Sequence, residues 1–193
     1  MRGQAHTLEG FAAAVILLSG VLFALQATAV TPLTASTSNQ HIENQQAAVA
    51  EGTLAAAEAN GTLAPTLLYW NTSGERFRGS GPDGVYTAGG PPTPFGDTLN
   101  GTFGEDRIAF NVEVGFRTPG GRGRTRMVYM GSPSDNAVAA TRTVVLFDDD
   151  CVGDGSGTLA EVAADPNREF YVDDTDDGPL YGVMEVRIVV WRI

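Results

Sequence analysis

Residues 1–31 read MRGQAHTLEGFAAAVILLSGVLFALQATAVT, and the rest of the chain is organised around this stretch. From Gly10 to Val30 only Ser19, Gln26 and Thr28 are polar, and no charge occurs between Gly10 and Ile42. As a helix the run spans roughly 31 Å at about 1.5 Å per residue, close to the thickness of a bilayer's hydrocarbon core. Nothing in it opposes a helix before Pro32. Thr7 is a candidate N-cap, and Glu9 lies in the first turn, where a carboxylate complements the helix dipole. Arg2 and the α-amine are the only positive charges ahead of the run, and the first arginine beyond it is Arg76. Positive-inside logic predicts a cytoplasmic N-terminus with the bulk of the chain outside. Two fates remain open: a retained transmembrane helix over residues 4–31, or a signal peptide cut near Ala27-Thr28-Ala29. The length of the apolar run favours retention.

Residues 32–60 continue as an amphipathic helix. Ile42, Val49 and Ala56 recur at seven, with Ala50, Leu54 and Ala57 in neighbouring rows and Gln and Glu opposite. Pro32 predicts a kink rather than an end, and Asn60-Gly61 is a stop signal. Residues 61–193 read as a β-rich domain. Leu67, Leu68, Tyr69 and Trp70 are expected to pack against the helix. The segment 79–96, with six glycines and four prolines, predicts a loop. Alternation predicts strands at Arg107–Phe116, Thr125–Met130, Ala137–Phe147 and Leu180–Arg192, the first two joined as a hairpin. Apolar residues on both sides of the last strand predict a central position. The expected fold is α+β: a long kinked N-terminal helix packed on a small antiparallel sheet.

The formal charge is −11, and every basic residue is arginine. A lysine-free, acidic chain is what a high-salt proteome produces, and it opposes nucleic-acid binding, which needs a basic face. The charge is concentrated: Asp148 to Gly178 holds eleven acids and one arginine, leaving the remainder nearly neutral. Arg117, Arg122, Arg124 and Arg126 cluster on the predicted hairpin with no acid between Val114 and Ser134. They form a candidate binding surface for a glycan, an acidic neighbour or an anionic surface, or else a hairpin tip neutralised by the chain's own acidic segment. Cys151 is the sole cysteine, so no internal disulfide exists. Asn60, Asn71 and Asn100 each begin an N-x-S/T sequon on the predicted outer side.

Asp150, Asp154 and Glu161 match positions 1, 5 and 12 of a Ca²⁺-binding loop, with Gly155 at position 6. Position 3 is Val152, which offers no ligand. Asp173, Asp174, Asp176 and Asp177 form a second acidic cluster. No other cofactor is indicated. His6 and His41 both precede the β-rich domain, and no HExxH, GxSxG, P-loop or CxxC motif occurs. The chain is read as non-enzymatic.

Arg2-Gly3-Gln4, followed by Thr7, Glu9 and a pure apolar run, resembles the class III signal of archaeal type IV pilin-like proteins. The resemblance implies a prepilin-type peptidase as partner, cleavage between Gly3 and Gln4 that removes residues 1–3, and an assembly role for Glu9. Glu9 stands five residues after Gln4, where the family has four. The layout of apolar helix, amphipathic helix and sheet is similar to that of type IV pilins. The whole chain also resembles haloarchaeal membrane-anchored proteins of the DUF7288 kind, which share this leader, the Ile42-Glu43-Asn44-Gln45-Gln46 helix and a last strand ending in Val190-Trp191-Arg192. The resulting expectation is a single-pass membrane protein with a glycosylated outer domain. Its function would be that of a pilin-like subunit or minor pilin, oligomerising through the N-terminal helix. The alternative is an anchored module that binds a glycan, a cation or an envelope protein and does not polymerise.

Overall fold

The computed structural model describes residues 2–104, 107–118, 120–175 and 178–193; for helical residues 2–6 and 27–39 it describes backbone only. The chain divides into two units, residues 1–42 and 43–193. Helix α1 covers Arg2–Ala59 and so contributes to both.

In the first unit, Thr7–Gln26 has a mean hydropathy of 2.2, is long and apolar enough to cross a membrane, and buries none of its side chains within the chain. An anchor and a signal sequence share those properties. Ser19 donates its hydroxyl to the Val15 carbonyl at 2.8 Å, which satisfies the polar group in mid-run within the helix itself. The side chains of Gly3, Gln4 and Pro32 lie outside the described residues, while Glu9 is exposed.

In the second unit, the end of α1 buries Ala50, Thr53, Leu54 and Ala57, a stripe at i, i+3, i+4 and i+7. The expected sevenfold row is not the packed one, since Val49 and Ala56 are exposed. Thr53 fits the stripe because its hydroxyl bonds the Val49 carbonyl at 2.8 Å.

After α1 come α2 (Leu63–Leu67), the short pair β1 (Trp70–Asn71) and β2 (Arg76–Phe77), and α3 (Pro94–Phe103). Next are β3 (Ile108–Thr118), β4 (Gly121–Tyr129), β5 (Val138–Phe147), α4 (Leu159–Ala164) and β6 (Leu180–Arg192). The main sheet has the order β4-β3-β6-β5, antiparallel throughout, so β6 is central as its two-sided apolar pattern predicts. The chain is an α+β protein: an N-terminal apolar helix and a small antiparallel sheet domain.

Three short helices, α2, α3 and α4, go beyond the expected β-rich pattern. The Gly/Pro loop expected over 79–96 ends earlier, because α3 begins at Pro94. Thr93 caps it through a bond from the Gly96 amide, and Phe95, Leu99 and Phe103 form its buried row. Helix α4 opens with a capping box between Thr158 and Glu161. The loop ahead of α3 also guards a sheet edge, because Tyr86 bridges to Val128 of β4.

One face of the sheet carries the core. Phe110, Val112 and Val114 of β3 meet Met184, Val186, Ile188 and Val190 of β6, under α2, α3, the end of α1 and residues 152–172. A bulge opposite Val112/Glu113 lets both Met127 and Val128 bury. Trp70, Phe77, Phe170 and Tyr171 cluster at one end in edge-on and tilted contacts, with Trp70 donating to the Glu169 carbonyl at 2.8 Å.

Candidate functional site

The opposite face of the sheet is split. Near the ends of β3 and β6 that carry Ala109, Asn111 and Trp191, the chain covers itself. The Asn111 amide donates to the Gly131 carbonyl and accepts from the Met130 amide, each at 2.9 Å. The other half is bare and carries the arginines.

Pair register explains the clustering. Glu113 lies opposite Arg126 on one side and Arg187 on the other; Gly115 lies opposite Arg124 and Glu185; Arg117 lies opposite Arg122. Directly paired residues point to the same side of a sheet. Five arginines and two glutamates therefore share one surface. Gly115 contributes no side chain at its centre, leaving a hollow of about 300 Å³ edged by Arg117, Arg122, Arg124, Arg187, Glu113 and Glu185.

Glu113 is the hub. Its carboxylate lies 3.1 Å from Arg124 Nη1, 3.8 Å from Arg187 Nη1 and 3.9 Å from Arg126 Nε. It is largely buried under these more exposed guanidinium groups. Arg126 also sits 4.9 Å above the Tyr129 ring. Among the described residues Arg117 and Arg122 have no carboxylate within ion-pair distance, although they face each other across β3 and β4. Like charges directly opposed on a sheet are unfavourable. Among the described residues the neutralising carboxylate is Glu113, from β3 itself, and these arginines make no ion pair with the acidic segment 148–178. Gly123 is needed locally, since a Cβ there would stand 2.2 Å from the Phe116 ring.

The three carboxylates of the Ca²⁺-loop pattern each serve the backbone. Asp150 accepts from the Phe147 amide at 2.8 Å. Asp154 accepts from the Thr72 amide and hydroxyl at 2.8 and 2.9 Å and from the Ser156 amide at 2.9 Å. Glu161 accepts from the Thr158 amide at 2.9 Å. Burial raises the Asp154 pKa, but the bonds from Ser156 and Thr72 outweigh it and bring it down to about 2. Among the described residues no three His, Cys, Asp or Glu side chains converge as metal ligands. Asp173 and Asp174 are exposed, while Asp176 and Asp177 lie outside the described residues. Burial raises the Tyr181 pKa, and the nearby carboxylates of Asp174, Asp173 and Asp148 raise it further. Cys151 is exposed and free.

The sequons differ in setting. Asn60 is exposed just past α1. Asn71 accepts from the Gly74 amide at 3.1 Å, ahead of buried Thr72. Asn100 lies within α3, and its side chain accepts from the Gly90 amide at 2.8 Å.

Sequence reasoning found four of the arginines but missed Glu113, Glu185 and Arg187. Alternation put Glu113 on the polar side of β3 and placed Glu185 and Arg187 on the face of β6 that also carries Val183, Val189 and Trp191; the strand order was the missing piece. No curated protein and no solved structure matches the chain. A family model described as a family of unknown function, DUF7288, matches residues 2–190, nearly the whole length, and the chain belongs to that family.

Proposed function

We propose that the protein is a non-enzymatic, pilin-like subunit of a cell-surface assembly, held in the membrane by its N-terminal helix with the sheet domain outside. The observation that carries this reading is the Thr7–Gln26 helix, apolar along its length and wholly exposed. Such a surface, about 30 Å long, has to be covered by lipid or by other helices. Ala12, Ala13, Ala14, Gly20 and Ala24 allow close helix approach, and a Cβ at Gly20 would meet nothing within 4 Å in the single chain.

Mass spectrometry of the mature N-terminus tests the reading. A chain beginning at Gln4 supports it; one beginning after Ala29 removes the helix and overturns it. Electron microscopy of sheared surface material, with and without the gene, then tests assembly.

A second reading is an anchored binding module that does not polymerise. Arg117 and Arg122 favour it, since among the described residues no carboxylate pairs with them and they invite an anionic ligand. Binding of a sulfated or uronic polysaccharide to the purified protein, lost in Arg117→Ala/Arg122→Ala, would distinguish it.

A further inference from the structure

We infer that the bare arginine half of the sheet docks the acidic segment, residues 148–178, of a second copy of this chain. The contact would be head to tail and repeat from copy to copy. The inference rests on the assembly reading above and names the surfaces through which the outer domains meet.

Three observations carry it. Arg117 and Arg122 are opposed without a carboxylate among the described residues, at a cost to the isolated chain that an acidic partner would remove. Beside them the same face turns apolar and stays open: Val145 and Val183, paired in register, are 42% and 43% exposed. The complementary charge is present in every copy, because residues 148–178 hold eleven acids and one arginine.

The two surfaces cannot meet within one molecule. Val152, Leu159, Val162, Phe170 and Val172 anchor the acidic segment in the core, and Tyr171 lies 6.0 Å from Phe116. Phe116 and Arg117 are successive residues of β3 and point to opposite faces. The segment that carries the acids thus packs on the core side of the sheet, and the arginines lie on the other. A two-fold dimer would have to satisfy both contacts at once across a single interface, which opposite faces prevent. A heterologous contact instead passes from copy to copy and leaves a free surface at each end. Hydrogen-bonded arginine–carboxylate pairs are the strong form of such a contact.

The test uses the full chain in membranes. A Thr143→Cys variant places a thiol on the bare face, and exposed Cys151 supplies the other thiol from the acidic segment. A short bismaleimide should then yield a ladder of dimers, trimers and higher species. Thr143→Cys/Cys151→Ser should not ladder. Arg117→Glu/Arg122→Glu in the same background should abolish the ladder, and adding Asp173→Arg/Asp174→Arg should restore it. Restoration also shows that the reversed chains are folded. A ladder that ends at the dimer overturns the head-to-tail geometry, and one indifferent to charge reversal overturns the electrostatic contact. Absence of any ladder overturns the inference, including the case where an anionic polysaccharide occupies the arginines instead. The mature N-terminal mass, read on the same samples, shows whether the assembly reading falls with it: a Gln4 start leaves that reading standing, and a start after Ala29 removes both.

Discussion

Asp154 and Thr72 are 82 residues apart in sequence, and one carboxylate oxygen of Asp154 accepts both the amide and the hydroxyl of Thr72. This pair ties the turn between β1 and β2 to the acidic segment. It also explains why an acidic loop that resembles a cation site has its central carboxylate occupied by backbone donors.

The pair predicts an acid-sensitive contribution to stability. The Asp154 pKa is lowered on folding from 3.8 to about 2. Its contribution is therefore complete above about pH 5 and is lost as pH falls from about 4 to 2. After allowance for partial exposure it is on the order of 1–2 kcal/mol. Urea unfolding of wild type and Asp154→Asn should differ at pH 6 and converge near pH 2. Millimolar Ca²⁺ should leave the melting temperature of wild type unchanged.

Arg142 occupies a core-side position on β5, and its Nε donates to Glu58 Oε2 near the end of α1 at 2.6 Å. The side chains are 37% and 46% exposed, which limits the pair to roughly 0.5–1 kcal/mol. Arg142→Ala should lower the urea midpoint modestly, and Glu58→Ala added to it should cost little more.

Glu113→Gln removes the carboxylate shared by Arg124, Arg126 and Arg187. Stability should fall by about 1–2 kcal/mol at low salt, where the remaining guanidinium groups repel one another. The loss should shrink as salt rises. A loss independent of salt would contradict the hub role.

Trp70 is buried among Phe77, Phe170 and Tyr171. Trp70→Ala should cost about 3–5 kcal/mol. Trp70→Phe, which keeps a ring but loses the bond to Glu169, should cost about 1–2 kcal/mol. Equilibrium unfolding followed by circular dichroism measures both.

If the sheet domain is glycosylated, Asn60 should be the principal acceptor, because the Asn71 and Asn100 side chains already bond the Gly74 and Gly90 amides. Intact mass should drop by one glycan in Asn60→Gln and change little in Asn100→Gln.

Much of the fold is visible in local pattern because its causes are local. The apolar run makes a helix that is exposed over Thr7–Gln26, and strict alternation makes β3. The central place of β6 follows from apolar residues on both its faces. Helices α3 and α4 were within reach too, through Thr93-Pro94 and Thr158-x-x-Glu161, but glycines obscured the first and a metal-loop pattern the second.

The site is different. Four arginines close in sequence could be read as a solvated hairpin tip, and nothing near them in sequence marks Glu113 as their partner or Arg187 and Glu185 as neighbours. Those relations depend on which strands pair and in what register. Strand pairing is set by the collapse of the whole core, so it is a property of residues far apart in the chain. Composition and periodicity determined the elements and the uneven distribution of charge. Only the tertiary structure decided that the arginines gather on one face of the sheet while the acidic segment packs against the other.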